Sequence, residues 1–599
     1  MTNTQLPEKK LLTGIPASPG IIIGKAHLVD RSRVKILYQY LINEDQINRE
    51  VERFKKALCI TESQLLQIKN RMPERMKDHS FILDSHIMII HDSMLKDATV
   101  EKIRKEKINS EWALKKSFEE IKLLFDEVDD YYIRSRLTDV ENVTERILRN
   151  LSGNNDTSLS QINGRVIIVA HDLSPADTTE LNITRVMGFI TDAGGRTSHT
   201  AIMAQALEIP AVVGLEQATK QIREGDLLIV DGNSGQVIFS PDEDDIIAYQ
   251  GKQLRHEQYK SFIARTSHLP AVTLDGQRVY VMANIEFLEE VAAAKDYGAD
   301  GIGLYRTEFL YLRSKGIPSE DDLFEDYREV AEIIAPMPVT IRTFDLGGDK
   351  FMAGLKTARE MNPALGLRAI RFCLKETKIF KSQLRAILRA STLGNVRLMF
   401  PMISGVQEVL DAKAILHEVM AEMEKEGIPF DHQIKTGIMI EVPSAVAMAE
   451  ALAEQVDFFS VGTNDLIQYS LAIDRANELV AGMYQPFHPA ILRMIRQVVS
   501  AAKGAGIEVS LCGEMAGDPL CTAALLALGI NQLSMNARVI PLIKKIARTI
   551  SSEDARDDLE KVMTLKTATE VRKHLLRTMS ELLPELGEEG ILDLSGGAR

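Results

Sequence analysis

Eight short apolar runs in the second half of the chain constrain its fold more than any other feature. They fall at 279–284, 301–304, 339–344, 396–401, 437–442, 458–462, 508–512 and 532–535, and helical stretches separate most of them. Parallel strands need crossover connections, and helices in those connections cover the outer face of the sheet they join. Eight such units across about 300 residues predict a closed (β/α)8 barrel spanning 270–580 rather than an open sheet. The spacing between the second and fourth runs is long, which predicts insertions there.

The first half reads differently. Around 12–30, a turn at Ser18-Pro19-Gly20 divides strand-like runs. From about 34 to 150 the chain is charged and helical. Ile47, Val51, Phe54, Leu58, Leu65, Ile68 and Met72 recur at three- and four-residue steps, with Thr61 in the one polar place, and Pro73 ends the series. Further helical runs are read at 79–92, 95–106 and 112–150. Between 160 and 240 strand-like runs return at 165–170, 186–191 and 227–230. The pattern predicts a small α/β domain (1–33 with 150–240) that carries an inserted helical domain (34–149). A helical linker (241–269), the barrel, and a C-terminal tail (581–599) follow.

A chain of 599 residues exceeds what one core can organise. Its net charge of −14 argues against nucleic acid or an anionic membrane as partner. No apolar run approaches the roughly 20 residues of a membrane-spanning helix. Cys59, Cys373, Cys512 and Cys521 are too scattered for a disulfide framework or a zinc site. A cytoplasmic protein is expected.

Active sites of such barrels lie at the carboxyl ends of the strands. Those ends carry Arg306 and Glu308, Arg342 and Asp345, Glu441, Asn464 and Asp465 with Arg475 soon after, and Cys512 with Glu514; Arg368 opens a helix beyond Asn362-Pro363. Two hard carboxylates, Glu441 and Asp465, suit a magnesium ion that keeps waters and substrate oxygens in its remaining positions. Arg306, Arg342, Arg368 and Arg475 suit an anion bearing phosphate and carboxylate. The same charges would also serve as salt bridges around the barrel rim.

A second constellation is Asp192-Ala193-Gly194-Gly195-Arg196-Thr197-Ser198-His199-Thr200. Here a strand ends, two glycines turn the backbone, Thr197 or Ser198 can cap, and a helix begins near His199. Free amides and the positive end of a helix dipole stabilise phosphate there, and neutral imidazole is a competent nucleophile near pH 7. A capping or structural histidine in a glycine-rich loop has the same sequence pattern.

The run Gly194 to Ala204 resembles the phosphohistidine segment of enzyme I of the bacterial sugar phosphotransferase system. So do Asp345-Leu346-Gly347-Gly348-Asp349-Lys350 and Ser460-Val461-Gly462-Thr463-Asn464-Asp465-Leu466-Ile467-Gln468-Tyr469. The likeness runs in colinear order from about 12 to about 575. It implies His199 as the phosphorylated histidine, Arg306, Arg342, Arg368 and Arg475 as phosphoenolpyruvate-binding residues, and Asn464 as a phosphate contact. It implies Glu441 and Asp465 as ligands of Mg2+, and Cys512 as the acid that protonates enolpyruvate to pyruvate; a buried cysteine is otherwise a small hydrophobe. It further implies that the helical domain docks HPr, the small histidine phosphocarrier, with His86 on the docking surface unless it is an ordinary exposed helix histidine. A homodimer through the barrel is implied too. Leu367 and Ala364 depart from residues common in the family and leave every charged position intact.

Two rivals are weighed. A pyruvate-phosphate dikinase or phosphoenolpyruvate synthase shares both motifs but requires a nucleotide-binding domain, and no glycine-rich phosphate loop precedes the histidine segment. A phosphoenolpyruvate-sensing regulator, whether non-catalytic or a nitrogen-type paralogue, would not need the full set of chemical residues, or would carry a sensory domain ahead of Leu12.

Overall fold

In a computed structural model of the chain, the described residues are 10–29, 40–71, 80–126, 131–152, 164–173, 185–195, 199–207, 209–313, 317–346, 362–475, 477, 480 and 482–584. The side chain of His199, the loop positions Arg196 to Ser198, the segment Gly347 to Lys350 and the tail from 585 lie outside the described set. The chain divides into two units, Met1–Glu257 and Gln258–Arg599.

The first unit holds a mixed sheet built from β1 (Lys10–Thr13), β2 (Ile15–Ser18), β3 (Ile21–Val29), β4 (Val166–Ala170), β5 (Val186–Thr191), β6 (Ala211–Val213), β7 (Leu227–Asp231) and β8 (Gln236–Phe239). Their spatial order is β1-β8-β7-β3-β4-β5-β6-β2. The β3–β4–β5–β6 ladder is parallel, and β7, β8, β1 and β2 join antiparallel. Successive side chains of a strand face opposite sides, and here both sides are buried. Ile167 and Val169 enter one cluster with Ile22, Val212 and Leu228. Ile168 and Ala170 enter another with Phe189, Ala204 and the helices.

Between β3 and β4 the chain forms α1 (Glu44–Arg71), α2 (Ser80–His91), α3 (Ser93–Glu106), α4 (Ser110–Asp126) and α5 (Tyr131–Ser152). Val51, Phe54, Leu58, Leu65 and Ile68 of the periodic series are buried on α1. The polar place is buried as well. The Thr61 hydroxyl donates to the Ala57 carbonyl at 2.8 Å and accepts from Asn150 Nδ2 at 2.8 Å, so it locks α1 to α5 without an unmet hydrogen bond. The single run read at 112–150 is two helices, α4 and α5. The sequence between them is charged but has neither glycine nor proline, so it carries no breaker signal.

Helix α6 (His199–Leu207) lies between β5 and β6, and α7 (Glu243–Thr266) contains the division between the two units.

In the second unit β10 (Arg278–Ile285), β11 (Ile302–Arg306), β12 (Val339–Arg342), β13 (Val396–Phe400), β14 (Lys435–Ile440), β15 (Phe458–Val461), β16 (Glu508–Leu511) and β17 (Gln532–Met535) pair in parallel. Strand β10 pairs with both β11 and β17, which closes the barrel. The two-residue β9 (Ala271–Val272) adds antiparallel to β10. Leu304, Met399, Met439, Phe458 and Cys512 form a cluster of their own among barrel-strand residues. At the amino-terminal mouth Glu508 accepts from Arg397 at 2.7 Å, Lys435 at 2.8 Å and Gln532 at 3.1 Å, linking four strands. The flanking helices are amphipathic. The helix Glu320–Ile334 starts from a capping box between Ser319 and Asp322 and buries Leu323, Tyr327, Val330 and Ile334.

Candidate active site

The charged residues singled out from the sequence converge at the carboxyl end of the barrel, and the structure sorts its arginines into two kinds. Arg342, the last residue of β12, is buried and donates to Glu308 and, at 2.9 Å, to Asp345. Arg368 donates to the same Asp345 at 2.8 Å and to the Tyr469 hydroxyl at 3.3 Å. Tyr469 in turn donates to the Ala364 carbonyl at 2.7 Å. Burial alone would push the Asp345 carboxyl up, but the guanidinium groups of Arg342 and Arg368 outweigh it and hold the group below its ordinary value. Glu308 goes the other way: burial raises it despite Arg342. Both arginines are held charged, because nearby carboxylates override the burial that opposes them.

Arg306 and Arg475 sit differently. Arg306, at the end of β11, is partly exposed and donates to Glu286 at 2.6 Å. Arg475 lies 3.5 Å from Glu514. Asn464 also meets Glu514: its Nδ2 donates to the carboxylate at 2.9 Å, and its Oδ1 accepts from the Glu514 amide at 2.8 Å.

Glu441 follows β14 and is buried, its carboxylate accepting from the Met402 amide at 2.6 Å. Burial, and then the charges of Asp465 and Asp345, push its carboxyl well above the ordinary range. Asp465 stands in the first turn of α8 (Thr463–Leu471), directly after β15. Among the described residues no group of three or more histidine, cysteine, aspartate or glutamate side chains forms a metal cage. Two mutually repelling carboxylates, one of them buried, fit a hard divalent cation that takes its other ligands from water and substrate. The backbone is fitted closely here. A Cβ at Gly462 would lie 2.9 Å from the Glu441 carboxylate, and one at Gly513 would lie 1.9 Å from the Thr463 hydroxyl.

Cys512, beyond β16, is buried with its thiol raised by burial. Its carbonyl accepts from Asn284 Nδ2 at 3.0 Å, and Asn284 Oδ1 accepts from Ser534 at 2.6 Å. Arg306, Glu286, Asn284, Cys512 and Glu514 all line one cavity of about 390 Å³. Several buried polar atoms around the barrel end have no protein partner: Arg342 Nε, Glu308 Oε2, Thr343 Oγ1 and Thr463 Oγ1. Such atoms mark a place built for ligand or water.

In the first unit β5 delivers the chain to Asp192, and Gly194 adopts φ +109°, a conformation that glycine tolerates. The buried Asp192 accepts from the amide and hydroxyl of Thr219. Helix α6 begins at His199. The next residue is pinned: the Thr200 hydroxyl lies 3.1 Å from both the Asp172 carboxylate and the Leu173 carbonyl. Ala201, Met203 and Ala204 are buried against the sheet, so the start of this helix is fixed by packing.

His86 differs from its expected surface position. It is 2% exposed and its Nε2 lies 3.3 Å from the Asp139 carboxylate, so it is part of the helical core. The sequence reading gave Glu286, Asn284 and Tyr469 no role. Glu286 follows the end of β10, where strand-end polarity was the available signal; Asn284 gave none, because it lies within an apolar run.

Three family models match the chain: the PEP-utilising enzyme N-terminal domain at 13–136, its mobile domain at 162–235 and its PEP-binding domain at 260–552. The phosphoenolpyruvate-protein phosphotransferase of Bacillus sp. (strain S) is 43% identical over 96% of this chain and 99% of its own. The protein of that name from Geobacillus stearothermophilus is 42% identical with the same coverage. The one from Haemophilus influenzae is 40% identical over 94% of this chain and 98% of its own. With likeness of this extent over both units, the chain belongs to the phosphoenolpyruvate-protein phosphotransferase family.

Proposed function

We propose that the chain takes the phosphoryl group of phosphoenolpyruvate onto His199, releases pyruvate, and passes the group to a histidine of HPr, the first step of sugar uptake by a phosphotransferase system. The observation that carries this reading is the convergence of Arg306, Arg342, Arg368 and Arg475 with Glu441, Asp465 and Cys512 at one end of the barrel, in a member of this family.

On this reading the arginines grip the substrate's carboxylate and phosphate, and Asn464 contacts the phosphate. Glu441 and Asp465 would hold Mg2+, which would supply charge neutralisation for the anionic substrate. An imidazole nitrogen of His199 attacks phosphorus as the bond to the enolate oxygen breaks, and that electron pair leaves with enolpyruvate. Positioning and electrostatics carry most of such a transfer. The Cys512 thiol, kept protonated by burial, gives its proton to the methylene carbon and so completes pyruvate. The start of α6, pinned at Thr200, offers the free amides and dipole end that suit a phosphate carried there. The small α/β domain (1–33 with 150–240) then carries the group to HPr docked on the helices of 34–149, with 241–269 as the linker. Because His86 is internal, its part in docking is to hold α2 against α5 rather than to touch the partner. The proposal includes a homodimer through the barrel and a cytoplasmic location; no helix among the described residues is long and apolar enough to cross a membrane.

The test is intact-mass analysis after incubation with magnesium and phosphoenolpyruvate. One acid-labile, base-stable phosphoryl adduct is expected, absent in His199→Ala and discharged by HPr. No adduct on a folded, metal-loaded sample refutes the reading.

A further inference from the structure

The two kinds of arginine have different partners, and the difference bears on how the site admits its ligand. Arg342 and Arg368 are tied to Glu308 and Asp345, both of which are buried. Arg306 and Arg475 are tied to Glu286 and Glu514, which line the open cavity. Glu286 is about as exposed as its arginine, and Glu514 is 77% exposed. Glu514 also takes the Nδ2 donor of Asn464, so one carboxylate occupies two donors suited to an incoming anion. Carboxylates outnumber arginines at this end of the barrel: Glu286, Glu290 and Glu514 line the cavity, and Glu308, Asp345, Glu441 and Asp465 follow the strand ends. A phosphate or carboxylate entering the cavity reaches Arg306 or Arg475 only in competition with Glu286 or Glu514.

We propose that Glu286 and Glu514 are internal placeholders: each occupies an anion-binding donor with its own carboxylate and is displaced by the phosphate or carboxylate of the ligand. Their role is to set affinity. They compete with substrate and product for Arg306, Arg475 and Asn464, and they return to those donors when the product leaves. Arg342 and Arg368 do not take part in this exchange, since removing Asp345 or Glu308 from them would leave buried charges unpaired. This inference rests on the proposed function, because it takes the ligand to be phosphoenolpyruvate.

The test is titration calorimetry of phosphoenolpyruvate with magnesium into the full chain carrying His199→Ala, which blocks transfer. Glu286→Gln, Glu514→Gln, both together, and Glu514→Asp are compared in that background. Partly exposed ion pairs hold about 0.2–1 kcal/mol, so each Gln variant is expected to tighten binding about 1.5- to 5-fold. The double variant should tighten it further, and the gain should shrink as salt screens the pairs. Glu514→Asp keeps the charge and should stay near the parent. Unchanged or weakened binding in the Gln variants overturns the placeholder role, because the carboxylates would then be orienting the arginines for the ligand. Absence of binding in the parent is a separate result and refutes the functional reading itself.

Discussion

Replacing Glu508 with Gln should weaken the barrel by a definable amount. Burial pushes this carboxyl up, but hydrogen bonds from Lys435 and Gln532 and the charge of Arg397 outweigh burial and bring it from 4.5 down to about 2. At 1.36 kcal/mol per pH unit, a fully shielded group so shifted would contribute about 3.4 kcal/mol. Its side chain is 35% exposed, so solvent screening reduces the figure to about 1–2 kcal/mol. For a unit of this size that is about 1–3 °C in the melting transition. The sign follows from the depressed value in the folded state. The contribution is fully present above the unfolded carboxyl's pKa near 4.5 and is lost as pH falls toward 2. The assay is thermal unfolding of the full chain by calorimetry and far-ultraviolet circular dichroism between pH 7 and pH 3. Trp112, the single tryptophan, lies in α4 of the other unit, so its fluorescence transition is an internal control that should not move. An equal loss at pH 3 and pH 7, or a shift confined to the Trp112 signal, would refute the reasoning.

Arg342→Met should leave Glu308 and Asp345 buried without their shared cation, costing about 3–5 kcal/mol in urea unfolding and abolishing phosphoenolpyruvate binding. Thr61→Val removes the donor to Ala57 and the acceptor for Asn150, so the helical domain should lose about 1–2 kcal/mol, read by Trp112 fluorescence. Cys512→Ala should slow pyruvate formation far more than it weakens phosphoenolpyruvate binding, a contrast that single-turnover kinetics and calorimetry resolve.

The barrel was legible because each of its strands is an apolar run between turns, and that pattern needs only local sequence. Strands of two or three residues, β9 and β6, are too short to carry one. The carboxyl-end site was legible for the same reason as the strands: once a strand end is placed, its polar residues are placed with it, as for Arg306, Arg342, Glu441 and Asp465. What stayed hidden are the pairings. Glu508 meets Arg397 from 111 positions away, and nothing in either neighbourhood announces it. His86 was misplaced because a histidine next to Asp84-Ser85 was read as exposed, although Ser80, Asp84 and His91 share one side of α2 by helical spacing and His86 falls opposite them.

The central claim is that His199 and the barrel's arginines serve one reversible phosphoryl transfer, and isotope exchange between labelled pyruvate and phosphoenolpyruvate tests it with this chain alone. Exchange should require magnesium, proceed without HPr, and vanish in His199→Ala while that variant still binds phosphoenolpyruvate. Exchange that persists in His199→Ala, or none from a folded, metal-loaded protein, would contradict the account.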